Sequence, residues 1–258
     1  MITGVVFVFG LLIGSFLNVC IYRFPKNESI VLPASHCPEC KKPIKWYDNI
    51  PVLSYLILGG RCRFCKVHIP FRYVIVEILT AVLGCILYGA FKFEPRFLAY
   101  SILTGGLIVA TFVDFQIQEI PDQVTLGGII AGFVIALAFP SVMGETSRFG
   151  SSIKSFLGII AGGGAILAMG YFGELLFKKE AMGGGDVKLL AMIGAFLGWD
   201  KAILVFFLAP FFGAVVGLVA KLKYGHETIP YGPYLSMAAF TAILVGDKIL
   251  KAIFFVPY

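Results

Sequence analysis

The chain has 258 residues, 59% of them hydrophobic and 14% charged, with a mean hydropathy of +0.90. A soluble domain carries about 25% charged residues, and this much apolar surface cannot be hidden in a soluble fold of this size. Disordered, coiled-coil, collagenous and disulfide-rich mini-protein classes are excluded by the same figures, which leaves a multi-pass membrane protein. The net charge of +6 does not point to nucleic acid, because the 21 Lys and Arg form no dense basic face with interleaved aromatics.

A helix needs about 20 apolar residues to cross the hydrocarbon of a bilayer. Apolar runs predict eight such spans, at 2–22, 73–91, 97–113, 123–140, 154–177, 187–199, 201–221 and 233–254. The first lacks a charged leading region and a cleavage site, so it reads as a retained span and not as a signal peptide. The sixth is short, and Trp199-Asp200-Lys201 reads as the turn separating it from the seventh. The fold class is therefore an all-α membrane protein with three parts. Residues 1–22 form the first transmembrane helix, 23–72 a polar loop domain, and 73–258 a seven-helix membrane core. No internal repeat is evident. Glycine clusters at 105–106, 127–128 and 162–164 read as close helix packing.

The loop 23–72 holds nine Lys or Arg. If it is cytoplasmic, the loops on its side carry fourteen of the 21 basic residues, as the positive-inside rule requires. Both termini then lie on the opposite side. Within the loop, Cys37-Pro38-Glu39-Cys40 and Cys62-Arg63-Phe64-Cys65 form two CxxC pairs. Four thiolates can hold Zn²⁺ tetrahedrally, and so short a loop has too little core to fold without a staple. Disulfides are the alternative, but a reducing cytoplasm disfavours them. His36 and His68 read as ordinary loop histidines, and Cys20 and Cys85 as small buried hydrophobes.

Carboxylates at membrane depth are costly and tend to be functional. Asp114 follows the apolar run Leu107–Val113 and ends the third span. Asp186 follows Gly183-Gly184-Gly185 and opens the sixth. Two crossings lie between them, so both face the same side. Two neighbouring carboxylates cannot both ionise easily and hold a shared proton. One can then activate a water while the other protonates a leaving amide nitrogen. The alternatives stay open: Asp114 as a solvated helix end, and Asp186 as an N-cap after a glycine turn. Asp122, after Pro121, reads as the cap of the fourth span. Glu77, near the start of the second span, is a candidate polar contact for a ligand; equally it can pair with Arg72 or Lys188, and it is assigned no role.

The segment Asp114-Phe115-Gln116-Ile117-Gln118-Glu119-Ile120-Pro121-Asp122 resembles the first signature of the bacterial type IV prepilin peptidases. Gly183-Gly184-Gly185-Asp186 resembles their GxGD motif. Gly14-Ser15-Phe16-Leu17-Asn18-Val19, Asn49–Leu56, Arg72–Glu77, Asp186–Met192 and Ile229–Leu235 are similar as well, in order along the chain. The resemblance implies that Asp114 and Asp186 are the catalytic pair of a membrane aspartyl endopeptidase, with Asp122, Gly183 and Gly185 as supporting motif residues. It implies prepilin or pseudopilin substrates whose basic leader is cut at the cytoplasmic face of the bacterial inner membrane. It also implies N-methylation of the new N-terminus with S-adenosylmethionine, although no glycine-rich nucleotide loop supports such a site. The loop's own positive charge sits awkwardly with a basic leader, so Glu39 or Asp48 would have to contribute. The competing readings are a zinc-stapled transporter with an aspartate relay and a non-enzymatic assembly scaffold.

Overall fold

The computed structural model describes residues 1–177, 183–224 and 230–254, with the side chains of 177 and 216–224 outside that description. Met182, Ile229 and the basic residues Lys178 and Lys179 of the charge count lie outside the described residues. Outside the polar loop, the regular structure of the described residues is helical. The helices are α1 (Ile2–Arg23), the single-turn α2 (Leu53–Ile57), α3 (Arg72–Phe91), α4 (Pro95–Ile117), α5 (Asp122–Ala138), α6 (Arg148–Phe177), α7 (Gly184–Leu197), α8 (Trp199–Tyr224) and α9 (Gly232–Phe254). Four helical segments are long and apolar enough to cross a membrane: Ile2–Lys26, Arg72–Phe91, Pro95–Ile117 and Arg148–Leu176. The 17-residue α5 is apolar but shorter.

The apolar runs fix these helices, and the punctuation residues fix their ends. Pro95 opens α4, where its missing N–H costs nothing and its fixed φ suits the first turn. Gln118, in the left-handed region, closes α4 through an N–H to the Asp114 carbonyl. The break between α7 and α8 falls at Gly198, with φ +86°, and not at Trp199-Asp200-Lys201. Trp199 already starts α8, because a single left-handed glycine turns the chain where a longer polar turn was expected.

Packing divides the chain into two compact units, Met1–Lys92 and Phe93–Tyr258. In the first, α1 lies against α3 along a small-residue seam. A methyl added to Gly10 or Gly14 would strike the backbone at Ala81 or Glu77. Between these helices runs the polar loop. The buried Arg23 ties its start down, donating to the carbonyls of Ser29 and Pro33 at 2.7 Å each.

The second unit is built around α7, which its neighbours bury from Leu189 to Leu197. The closest approach is between α6 and α7. A methyl on Gly158 would run into the Gly194 carbonyl, one on Gly194 into the Gly158 carbonyl, and one on Gly162 into that of Leu190. Ser155 donates to the Ala195 carbonyl and Ser151 to that of Ala136, each at 2.7 Å, which satisfies buried hydroxyls across the seam. The ion pairs Lys154–Asp200 and Lys201–Asp247 lie toward the start of α6 and α8. The first turns of α7 and α9 and the last turn of α4 meet at the other end of the unit.

Candidate active site and cysteine cluster

Asp114 lies in the last turn of α4 and is 5% exposed. Its Oδ2 accepts the backbone N–H of Gly232 at 2.9 Å, across 118 positions of sequence. Gly232 is the first residue of α9, where a backbone N–H has no partner inside its own helix. The same end carries the positive pole of the peptide dipoles, so a carboxylate is favoured there.

Asp186 is the third residue of α7, not the residue ahead of it. The N-cap is Gly183, and the Asp186 carboxylate reaches back to its backbone N–H. This is the acidic half of a capping box. The expected glycine turn is thus mostly helix, since Gly184 and Gly185 already belong to the first turn. Asp114 and Asp186 are close enough for their charges to interact.

Ile120 links the two aspartates. The turn 118–121 folds it back, 9% exposed, between the first turns of α7 and α9. A Cβ at Gly185 would lie 3.2 Å from Ile120 Cβ. One at Gly232 would lie 3.2 Å from Ile120 Cδ1 and 2.8 Å from Asp114 Oδ2. Glycine at 185 and 232 is what lets the three segments close around the carboxylates.

Asp122 does not cap α5. Pro121 holds the N-cap position, no side chain caps the helix, and Asp122 is its first residue. Its Oδ1 instead takes Lys188 Nζ at 2.6 Å, joining the first turn of α5 to that of α7 two residues after Asp186. Tyr231 lies just ahead of α9. Its hydroxyl is buried and has no partner among the described groups. Burial, and then the negative charge of Asp186, push that phenol up to about 12. Gly232, Ile120 and Tyr231 are the members of the site that sequence reasoning left without a role. The Pro230-Tyr231-Gly232-Pro233 run, a helix start rich in backbone constraint, was the available signal.

The four loop cysteines converge. The Sγ atoms of Cys37, Cys40, Cys62 and Cys65 all lie within 4.8 Å of one another, and Cys37 Sγ and Cys65 Sγ are 3.8 Å apart. Tetrahedral zinc with Zn–S bonds of about 2.3 Å requires sulfur–sulfur edges of about 3.8 Å. The two CxxC turns are built alike. Cys37 N–H donates to the Lys42 carbonyl and Lys41 N–H to that of Cys37. Cys62 N–H donates to the Val67 carbonyl and Lys66 N–H to that of Cys62. Lys41 and Lys66 both take positive φ, at 57° and 61°. This is a short local repeat, where none was evident from the sequence. The backbone N–H groups of Cys65 and Phe64 lower the Cys62 thiol to about 6, toward the thiolate a metal requires. Four such sulfurs can bind a metal ion. Asp48 is not free to meet a basic peptide, because both its oxygens are held by Arg63 at 2.6 and 2.7 Å.

The chain matches the family described as Bacterial Peptidase A24 N-terminal domain over residues 8–91 and the Type IV leader peptidase family over residues 101–218. Among its relatives is a prepilin leader peptidase/N-methyltransferase of Aeromonas salmonicida (strain A449), 36% identical over 96% of this chain and 92% of its own length. Proteins of the same name from Pseudomonas aeruginosa and Neisseria gonorrhoeae are 34% and 32% identical. They cover 94% and 95% of this chain and 90% and 91% of theirs. No solved structure matches. These findings define a membrane-embedded peptidase class. The chain belongs to the type IV leader peptidase family.

Proposed function

We propose that this chain cleaves the basic leader of type IV prepilins or pseudopilins as an aspartyl endopeptidase. The observation that carries the reading is the pair of carboxylates, Asp114 on the Gly232 N–H and Asp186 on the Gly183 N–H, brought together over Ile120. One carboxylate takes a proton from a water as that water attacks the scissile carbonyl. The other holds the shared proton, binds the carbonyl oxygen and then delivers the proton to the leaving nitrogen. Gly183 and Gly185 keep side chains out of the approach to Asp186. Asp122, through Lys188, steadies the first turn of α7.

In this reading all eight long helices span the bacterial inner membrane and contact its lipid. Residues 1–22 form the first span, 23–72 the cytoplasmic loop domain, and 73–258 the peptidase core. Both aspartates face the cytoplasmic rim, where the apolar helix of a prepilin enters the bilayer, and both termini lie on the opposite side. The four cysteines hold one structural Zn²⁺. The relatives' names carry N-methylation to this chain as a second step, on the amine that cleavage exposes.

The test is Asp114→Asn and Asp186→Asn in the detergent-purified protein, with mass spectrometry of an added prepilin. Each variant should lose at least about a thousandfold in cleavage rate, because neither half of the proton relay works alone. Persistent cleavage in both would end the aspartyl assignment and leave the transporter and scaffold readings.

A further inference from the structure

The first unit contains a cavity of ≈ 210 Å³ beside the cysteine cluster, walled by α1, α3 and the polar loop. It opens to solvent on one side, so a ligand can extend past its rim. Asn18, Tyr22, Tyr55, Tyr73 and Glu77 are among its walls.

Two of its polar groups are only partly accounted for. Asn18 is 2% exposed; its Nδ2 donates to the Tyr73 carbonyl at 3.0 Å, while its Oδ1 is buried with no partner. Glu77 is 7% exposed. It accepts the Val52 N–H at 2.8 Å and the Ser15 hydroxyl, and none of the described ion pairs involves it. The Val52 contact is itself costly, since it holds a β-branched residue at φ +60°. Burying a carboxylate without a cation is unfavourable. Among the other charges on the wall, Arg23 is held by two carbonyls, Arg63 and Asp48 hold each other, and Lys42 Nζ sits over the Phe64 ring at 4.9 Å. Glu77 is the lining carboxylate that no described ion pair compensates.

A ligand that fits must bring a positive charge for Glu77, an N–H donor for Asn18 Oδ1 and a flat apolar part for the tyrosine walls. A sulfonium nucleoside has all three. We propose that this cavity binds the sulfonium methyl donor of the N-methylation, with Glu77 facing the sulfonium and Asn18 accepting from an amino group of the base. The proposal rests on the methyl-transfer reading above. In the transfer, the amine lone pair forms the new N–C bond as the C–S bond breaks. The bonding pair stays on sulfur, which leaves as a neutral thioether, and the amine proton passes to water. The ligand thus loses its charge on reaction, so Glu77 favours the donor over the spent product.

The test is calorimetric titration of the intact detergent-purified protein with S-adenosylmethionine and, separately, with its thioether product. Glu77→Gln should weaken the donor by about tenfold or more while leaving the thioether nearly unchanged, as loss of a buried charge partner requires. Asn18→Leu should weaken both ligands alike and serves as the second probe if the Glu77 variant does not fold. Circular dichroism and gel filtration check that fold. Wild-type affinity for the donor in both variants, with methyl transfer intact in the wild type, overturns the placement alone. A wild type that neither binds the donor nor methylates overturns the methyl-transfer reading and the placement with it.

Discussion

Asp114 and Asp186 are each gripped by a main-chain N–H at the start of a helix, α9 for one and α7 for the other. Such donors do not rotate away, so the carboxylates keep fixed directions, as the proposed exchange of a proton with a water requires. Tyr231 stands beside this pair with a buried hydroxyl that nothing in the described protein satisfies. Because that hydroxyl makes no internal bond, Tyr231→Phe should leave stability unchanged or raise it by up to about 1 kcal/mol, as removal of a desolvated unpaired group does. Chemical or thermal unfolding in detergent checks this. A loss of more than that amount would mean that the hydroxyl bonds a group not seen here. The Asp122–Lys188 pair is different: both side chains are substantially exposed. Its worth is at most about 1 kcal/mol, so its contribution is the placement of α7 and not stability.

At the scale of elements, two seams of small residues set the helix pairs: Gly10 and Gly14 for α1 on α3, and Gly158, Gly162 and Gly194 for α6 on α7. Lipid tails are as apolar as leucine, so helices in a bilayer are joined by close contact and not by escape from water. Gly194→Leu should therefore separate α6 from α7 and cost at least the roughly 1–3 kcal/mol of an overpacked core. The expected readout is a lower unfolding temperature together with lost prepilin cleavage, since α7 carries Asp186. Undisturbed unfolding would mean that the backbones are not in contact. The polar loop is held by other means. Replacing Cys37, Cys40, Cys62 and Cys65 with Ser should remove one zinc per chain, measured by atomic emission. Unchanged metal content would reject the staple.

The long helices were legible in the sequence because each is a run of apolar residues, and the ends of α1, α3 and α9 fall within one residue of expectation. The cysteine convergence was legible because CxxC spacing admits few geometries. The contacts that place the site were not. Gly232 reaches Asp114 across 118 positions, and a backbone donor has no signature in residue identity. The cap assigned to Asp122 failed because Pro121 took that position. The alternative of Asp186 as a cap fails because Gly183 takes the N-cap position, and Gly184 and Gly185, though poor helix formers, already belong to the first turn of α7. Asp48 was one of two acids, with Glu39, offered to meet a leader peptide, and its capture by Arg63 could not be read from two residues fifteen apart in a loop.

Over the whole molecule, each of the two units pairs one glycine seam with one polar centre: the cysteine cluster and cavity in the first, the aspartates in the second. The proposed direction across the membrane rests on the uneven distribution of Lys and Arg. Alkaline phosphatase, active only outside the cytoplasm, should be active when fused after Thr146, in the exposed turn before α6, and inactive when fused after Lys45. The reverse pattern would invert the topology and move the aspartates to the wrong face for a cytoplasmic leader.

The hold on Asp114 has a consequence for how the protein will answer mutagenesis. Its donor is an amide shared by every amino acid but one, so no alanine scan can delete it. A methyl at position 232 would instead collide with the acid it was meant to release. Inactivity there would register lost room rather than a lost proton donor, and only a chemical edit of the peptide linkage itself, amide to ester, would tell the two apart.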